Sequence, residues 1–298
     1  MKVLFKYASS THNGRPHKSL PTLALAVIVL FCGSSSASAA PLLGSALASF
    51  AVLGAAGVTT AHKSKIKGNL GSAPSTSIGG VYQFAAGSLQ ANTPIAQQAQ
   101  LDLNAAISAL NSMGPSTALV DADLTGTLNP GIYTVPAGPT NLSGNLILDG
   151  LGSNNALWVF QMESTLITSP TSNVTVTNVG NGSGVGIYWS VGSSAILNGS
   201  TFAGNVLARG PISSDGNLTL SCGRLLSATS QVTLNEGSIS IGCAGTGFET
   251  SGGFDQGVNI GSGGLVGVRP TVPEPATLAL LGLGLAGLGF ARRRHGRD

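Results

Sequence analysis

The side chains that most enzymes use for catalysis are scarce in this chain of 298 residues. Between positions 41 and 271 there is one histidine, His62, and there are two cysteines, Cys222 and Cys243. A Ser-His-Asp triad would have to use His62, but no nucleophile-elbow motif lies near this residue. The residue types therefore argue against a catalytic protein.

Metal chemistry has equally little support in the sequence. No cysteine or histidine pair has the spacing of zinc ligands, and the carboxylates are scattered. Asp121 and Asp123 could in principle bind calcium, although such a pair near a turn is more commonly part of a solvated loop. We therefore expect neither a metal nor a cofactor.

The charge of the chain argues against nucleic acid as a partner. The whole chain has a formal net charge of +3, but positions 41–271 hold six basic and nine acidic residues, a net charge of −3. The one basic cluster, Lys63, Lys65 and Lys67, has the alternation of a solvated strand or loop edge. A nucleic-acid interface needs a broader basic face than this cluster provides.

The N-terminus has the three parts of a secretory signal peptide. Several basic residues come first, an apolar run occupies positions 20–31, and the small residues Ala37-Ser38-Ala39 follow. The apolar run is short of the ~20 residues that a transmembrane helix needs. We therefore predict that residues 1–39 are a signal peptide, that signal peptidase cleaves after Ala39 or Ala40, and that the rest of the chain is exported.

Short strands and an internal repeat characterise the exported part. The segment GNLTLSCG (216–223) matches GSISIGCA (237–244) at an offset of 21 residues. Alternating apolar residues predict β-strands, and a period near 20 residues favours a stacked β-solenoid over a β-sandwich. Cys222 and Cys243 would then lie one coil apart, within disulfide range, and export places them in an oxidising compartment.

One segment, residues 94–113, has helical periodicity. Thr93 can cap its N-terminus, Pro94 suits the first turn, and Gly114-Pro115 ends it. An amphipathic helix in a β protein must bury its apolar side, so we expect it to pack on the side of the solenoid. The predicted apolar side consists of Ile95, Ala99, Leu103, Ala106, Ile107, Leu110 and Met113.

The order of these motifs resembles the bacterial and fungal ice-binding-like domain. The resemblance runs from about Leu43 to Cys243 and includes LTGTLNPGIYTV (124–135), IYWSVGSSAIL (187–197) and STFAGNVLA (200–208). It implies a mainly β domain at residues 41–244, a discontinuous β-solenoid of triangular cross-section with one long α-helix packed alongside. Some members bind ice through a flat face rich in Thr, Ser, Ala and Asn, whereas others have no demonstrated role in ice binding.

The C-terminal residues 272–298 resemble the Pro-Glu-Pro sorting signal of Gram-negative exosortase systems. Pro273-Glu274-Pro275 precedes an apolar run at positions 276–291, and Arg292-Arg293-Arg294 follows this run. The resemblance implies a transient inner-membrane anchor with cytoplasmic arginines, which an exosortase cuts near residues 273–275. The product would reach the outer surface or the medium. The Gly-rich residues 245–271 would form a flexible linker.

Two functions fit these features. The first is ice binding through a flat, uncharged solenoid face, and the alternative is an extracellular matrix, biofilm or adhesion role with polysaccharide or the cell surface as partner. Within the 21-residue repeat we expect Thr219 to lie opposite Ser240, and Asn217 opposite Ser238. The candidate residues of the ice-binding face are Asn217, Thr219, Thr233, Asn235, Ser238 and Ser240.

Overall fold

The structure, a computed structural model, describes residues 40–198, 201–243, 254–255, 258–261 and 264–267. The predicted signal peptide (1–39) and the predicted sorting segment (272–298), with its expected membrane-spanning run, lie outside these residues.

The described residues form two helices and 25 strands. The helices are α1 (Gly44–Ala48) and α2 (Pro94–Asn111). The strands before α2 are β1 (Ala40–Pro41), β2 (Phe50–Gly54), β3 (Gly57–Thr60), β4 (Ser64–Lys67), β5 (Asn69–Ser72), β6 (Ile78–Gly79), β7 (Tyr82–Ala86) and β8 (Leu89–Ala91). The strands after α2 are β9 (Thr117–Ala118), β10 (Gly126–Leu128), β11 (Gly131–Thr134), β12 (Thr140–Leu142), β13 (Asn145–Asp149), β14 (Leu157–Met162), β15 (Leu166–Thr168), β16 (Asn173–Thr177), β17 (Gly186–Val191), β18 (Ala195–Asn198), β19 (Thr201–Ala208), β20 (Ile212–Asp215), β21 (Leu218–Ser227), β22 (Gln231–Leu234), β23 (Gly237–Ser240), β24 (Val258–Gly261) and β25 (Gly264–Gly267).

The strands β2–β23 stack in parallel into three faces, as the solenoid prediction requires. Face A contains, in spatial order, β10, β13, β16, the first part of β19, the first part of β21, β23, β4 and β7. Face B contains β12, β15, β18, β20, β22, β3 and β6. Face C contains β9, β11, β14, β17, the second parts of β19 and β21, then β2, β5 and β8.

Two strands, β19 and β21, continue without interruption around the corner between face A and face C. In β19 the turn falls at Gly204, whose φ is 95°, and in β21 it falls at Cys222, whose φ is 56°. A Cβ at position 204 would also lie 2.4 Å from the side chain of Ile187 on the neighbouring coil. The corner therefore needs glycine at this position both for its backbone conformation and for the close approach of the next coil.

The stacking order does not follow the chain order, so the predicted discontinuous solenoid is confirmed. The strands nearest the N-terminus stack on the coil that comes last along the chain. Val52 pairs with Leu225 on face C, Thr59 with Thr233 on face B, and Lys65 with Ser238 on face A. The N-terminal coils thereby cover the edge of the coil formed by β21–β23, which would otherwise expose unpaired backbone groups.

The interior of the solenoid is an apolar core with stacked aromatic rings. On face C the inward residues Tyr133, Phe160 and Trp189 lie on neighbouring strands. The ring centroids of Phe160 and Trp189 are 4.1 Å apart, and Phe202 lies 4.9 Å from Trp189. Alternation in each strand places one residue in this core and the next outside, so the core fixes which residues face solvent.

A second apolar layer lies on the outer side of face C, beneath the two helices. The side chains of Val159, Tyr188, Leu207 and Leu226 point outward from this face and contact the buried side of α2. As an 18-residue helix, α2 is about 27 Å long and can cross several coils at about 4.8 Å each. Among the described residues, neither helix is both long and apolar enough to cross a bilayer.

The prediction for α2 is confirmed in its position and corrected at its ends. Thr93 caps the N-terminus by accepting a hydrogen bond from the backbone N–H of Ala96, and Pro94 is the first helical residue. Ile95 was expected on the buried side but is 38% exposed, because Ala96 occupies that side in the first turn. Met113 packs against the same apolar layer from beyond the helix C-terminus.

The register between β21 and β23 differs from the one that the 21-residue repeat suggested. Thr219 lies opposite Ser238, not opposite Ser240, so the coils are offset by 19 residues on face A. The corner residues Asn217 and Glu236, with φ of 46° and 61°, are themselves 19 positions apart and set this register. A shift of two residues keeps every side chain on the same side of the sheet, so the predicted outward residues remain outward.

The disulfide partners keep the spacing of the repeat. Cys222 and Cys243 form a disulfide across 21 residues of sequence, with their Cα atoms 4.4 Å apart. Cys222 lies at the corner that ends the face A part of β21, and Cys243 follows β23. The bond therefore connects the end of one coil to the end of the next.

A buried ion pair connects the solenoid to the segment that follows it. The guanidinium of Arg224 donates to Oδ2 of Asp255 at 2.9 Å, to Oδ1 of Asn205 at 2.7 Å and to the carbonyl of Ala48. The hydroxyl of Tyr188 donates to the carbonyl of Asp255 at 2.7 Å. The side chains of Arg224 and Asp255 are only 1% and 12% exposed, so these contacts join β21, the last residue of α1 and residue 255 inside the protein.

This contact corrects the interpretation of residues 245–271 as a flexible linker throughout. Phe254 is 2% exposed and its carbonyl accepts from the backbone N–H of Ile187 at 3.0 Å. Further along, β24 pairs with β1 and with β25. The segment is rich in glycine, as the sequence indicated, but an aromatic and an acidic residue within it pack against the domain.

We expect Asp255→Ala to lower the free energy of unfolding by about 3 kcal/mol, because the buried guanidinium of Arg224 would lose its ion pair with Asp255. The measurement is urea unfolding of the fragment 41–271, followed through the buried Trp158 and Trp189. Glu163→Ala removes an exposed acidic residue of the same domain and should change the free energy by less than about 0.5 kcal/mol. Equal small effects of both variants would contradict the role given to the ion pair.

Candidate functional site

Two of the three faces are open to a ligand. The outward side chains of face C are covered by α1 and α2, and residues such as Leu207 and Leu226 are fully buried there. Faces A and B have no helix packed on them within the described residues. A binding surface of the solenoid must therefore lie on face A, on face B, or at the corner between them.

Face A carries a straight row of uncharged polar side chains across five neighbouring strands, which we call the first row. Each member pairs directly with the next, from β13 through β16, β19 and β21 to β23. Four of the five side chains are exposed and the other is half-buried. The first row consists of Asn145, Asn173, Thr201, Thr219 and Ser238.

A second row lies parallel to the first, two residues further along each strand. It mixes hydroxyl groups with small or aliphatic side chains. Ile147 and Thr175 are exposed, Ser221 and Ser240 are half-buried, and Ala203 is buried. Ile147 in this row is 38% exposed. The second row consists of Ile147, Thr175, Ala203, Ser221 and Ser240.

The backbone fixes the spacing of the two rows. Neighbouring parallel strands are about 4.8 Å apart, and alternate residues of one strand are about 6.6 Å apart. Five strands therefore present a nearly rectangular array about 19 Å long. Asn173 donates from Nδ2 to Oδ1 of Asn145 at 3.2 Å, so this contact holds two of the side chains in place.

Charge appears at one end of face A. Ser238 of the first row pairs with Lys65, and Ser240 of the second row pairs with Lys67. Both lysines are exposed. The uncharged array thus ends at β4, the first strand of face A that the N-terminal coils provide.

Face B has an equally regular central row with different chemistry. Its seven strands pair residue for residue, but two central positions are Ile167 and Ile196. Thr233 and Thr59 are half-buried, with their hydroxyl oxygens 3.5 Å apart. The central row consists of Asn141, Ile167, Ile196, Ser213, Thr233, Thr59 and Gly79.

The structure divides the six candidate residues between two faces. Thr219 and Ser238 are neighbours in the first row, and Asn217 lies at the corner just before Thr219. Ser240 lies in the second row, but its hydroxyl already donates to the carbonyl of Gly242 at 2.8 Å. Thr219 and Ser238 are thus the two candidates with exposed side chains in the array.

The other two candidates do not belong to the array on face A. Thr233 lies in the central row of face B. Asn235 lies at the corner after β22, where its amide donates to Asp215 at 3.2 Å and its Oδ1 lies 2.8 Å from Nδ1 of His62. These contacts occupy the polar groups of Asn235.

Sequence reasoning missed three members of the first row, Asn145, Asn173 and Thr201. The sequences of two coils, at 216–223 and 237–244, are similar enough to show their repeat. Elsewhere the first-row residues are 28 positions apart (173 and 201) or 18 positions apart (201 and 219), so no fixed period connects them. These three residues could have been identified from their outward positions in strands of alternating apolar and polar residues.

Three titratable groups with shifted pKa values, Tyr188, Arg224 and Asp255, lie inside the protein rather than in a cleft. Burial raises the pKa of Tyr188 and lowers the pKa of Arg224. Burial also raises the pKa of Asp255, and the guanidinium of Arg224 opposes this shift. These three groups contact one another inside the protein, so none of them is presented to a ligand.

The described residues also form a shallow groove beside the rows of face A. This groove of about 250 Å³ at the corner of faces A and B is lined by polar residues, including Lys63, Asn217 and Glu236. It lacks the apolar walls that are typical of small-molecule pockets. Within the same described ranges, no three His, Cys, Asp or Glu residues cluster as metal ligands.

Comparison with solved structures agrees with this fold. The crystal structure of an ice-binding protein from an Antarctic biological consortium has a TM-score of 0.62 at 32% identity, and the match covers 67% of this chain and 90% of the other. The crystal structure of an ice-binding protein from the Antarctic ascomycete Antarctomyces psychrotrophicus has a TM-score of 0.62 at 29% identity, with coverage of 70% and 100%.

Sequence comparison identifies the family of the solenoid domain and of the C-terminal segment. Residues 271–294 match the PEP-CTERM protein-sorting motif, which confirms the predicted sorting signal. An ice-binding protein from Nostoc sp. (strain HG1) is 34% identical over 279 residues, covering 92% of this chain and 95% of the relative. Residues 52–240, more than half of the chain, match the family model described as Ice-binding-like. This chain therefore belongs to the ice-binding-like family.

Proposed function

We propose that this protein is a non-catalytic, exported ice-binding protein and that the first and second rows of face A contact the ice. The observation that carries this proposal is the unbroken run of uncharged polar side chains, four of them exposed, on five paired strands. A relative that matches 92% of this chain and is named an ice-binding protein supports the same function.

The chemistry of the ice surface determines which protein surface can bind it. The ice surface presents hydrogen-bond donors and acceptors in a lattice and no net charge, so a protein must make many weak contacts at once. Side chains on a rigid sheet lose little conformational freedom on binding, which favours such contacts. The exposed methyl groups beside the hydroxyls, as in Ile147 and Thr175, add apolar contact without strongly held water.

Face A fits this requirement better than face B. In the first row every strand contributes an amide or hydroxyl group, and most of these side chains are exposed. On face B, Ile167 and Ile196 interrupt the polar groups, and the hydroxyls of Thr59 and Thr233 lie close enough to bond to each other. Neither the fold nor the comparisons favour the alternative of a matrix or adhesion role.

We expect Thr219→Tyr to abolish nearly all thermal hysteresis of the fragment 41–271, because a bulky ring at the centre of the first row would hold the face away from ice. Position 219 is exposed, so the free energy of unfolding should change by less than about 0.5 kcal/mol. Thr233→Tyr makes the same chemical change on face B and should leave the activity near the wild-type level.

The two tyrosine variants separate the faces. If Thr219→Tyr retains full activity and Thr233→Tyr loses it, the ice-binding surface is face B. If the wild-type fragment shows no thermal hysteresis and no inhibition of recrystallisation at high concentration, the matrix or adhesion role becomes the better hypothesis. The fragment must include Asp255, because the buried ion pair of Arg224 with Asp255 would otherwise be lost.

We further propose a processing route from the two ends of the chain. Signal peptidase removes residues 1–39, and the apolar run after Pro275 holds the domain in the inner membrane with Arg292, Arg293 and Arg294 in the cytoplasm. An exosortase then cuts near residues 273–275 and releases the domain towards the cell surface or the medium. The match of residues 271–294 to the sorting motif supports this route.

In a host with the matching exosortase, we expect the mature protein to end near Pro275, which intact-mass measurement of the exported protein can establish. Deleting the exosortase should leave the domain in the membrane fraction. Changing Pro273 and Pro275 together to alanine should have the same effect in a host that retains the protease. An intact mass that includes Asp298 in the unmodified host would contradict the proposal.

A further inference from the structure

The exposed positive charge of the described domain is concentrated on one strand. Lys63, Lys65 and Lys67 lie on β4 or directly before it, and all three side chains are exposed. Arg224 is buried, and Arg209 is the other exposed cation among the described residues. Within these residues the lysines take part in no ion pair, so their position does not follow from a need to neutralise nearby acids.

Two of these lysines stand directly in the rows of face A. Lys65 lies between Ser238 of the first row and Gln83, and Lys67 lies opposite Ser240 of the second row. The side chain of Lys67 reaches back towards β23, since a Cβ built at Gly242 would lie 2.6 Å from its Nζ. The lysines therefore occupy the positions where the uncharged array would otherwise continue.

A lysine at such a position opposes contact with ice for a physical reason. An ammonium group is strongly hydrated, and ice offers it no counter-charge, so removing its water costs free energy that no new contact offsets. A long flexible side chain also loses rotamer freedom when it is pressed against a flat surface. The neighbouring Gln83 is uncharged, so the interruption is confined to β4.

We propose that Lys65 and Lys67 set the end of the ice-contacting surface and thereby limit its activity. The inference rests on the function proposed for face A. With both charges removed, the first row would run without interruption from Asn145 to Gln83, over seven strands in place of five. The array would lengthen from about 19 Å to about 29 Å.

The structure also suggests why the lysines are present. β7 is the last strand of face A at this end of the solenoid, and its outer edge has no paired strand among the described residues. Lysine near an exposed sheet edge discourages edge-to-edge association. We infer that the lysines shorten the ice-contacting surface by two strands and, at the same time, oppose association of two molecules through the edge of β7.

The test is the fragment 41–271 with Lys65→Thr and Lys67→Thr, compared with wild type at equal concentration. We expect thermal hysteresis per monomer to rise by at least about 1.4-fold, in proportion to seven strands replacing five. Light scattering establishes that the compared samples are monomeric. Lys65→Gln with Lys67→Gln removes the same charges at similar side-chain length and should also raise activity if threonine impairs folding.

The matched control is Lys63→Gln with Arg209→Gln, which removes two exposed positive charges outside both rows. This control should retain wild-type activity, and an equal gain in it would mean that net charge and not the array is responsible, which overturns the proposal. An active wild type with no gain in folded, monomeric Lys65 and Lys67 variants also overturns it. No activity in wild type and in every variant would instead show that the proposed function itself is wrong.

Discussion

The parallel stacking of coils, residue against equivalent residue, is the constraint on which the rest of the structure depends. Hydrogen bonding between strands fixes a separation of about 4.8 Å, and alternation within each strand sends one side chain inward and the next outward. The inward residues form the stack of Phe160, Trp189 and Phe202. The outward residues of the same coils form the first and second rows. Core packing and the surface array are therefore consequences of one register.

Segments that are distant in sequence cover the ends and sides of the solenoid and thereby stabilise the register of its coils. The N-terminal strands stack on the last coil, α2 covers face C, and Arg224 binds Asp255 from the segment beyond the domain. The disulfide of Cys222 and Cys243 joins two successive coils at the corner where face A ends. The helices leave faces A and B uncovered among the described residues, while face C has no free surface beneath them.

Much of this architecture could be predicted from local patterns, because alternation, helix capping and the resemblance to a known domain are visible in single segments. Thr93 and Pro94 marked the start of α2, and Leu218 and Leu220 marked an inward-facing strand. Coil-to-coil register was less accessible, because corners that need a positive φ, at Asn217 and Glu236, decide it. For the same reason Asn145, Asn173 and Thr201 were missed. The buried contact of Asp255 had no local signal, since a single acidic residue among glycines is usually solvated.

Partition of the protein into growing ice tests whether the folded domain recognises ice through a surface rather than a pocket. A fluorescently labelled fragment 41–271 is exposed to a slowly growing ice hemisphere beside an inert globular protein of similar size. We expect the ice to incorporate the fragment, while the inert protein stays in the liquid. Exclusion of the folded fragment to the same extent as the inert protein would contradict this expectation.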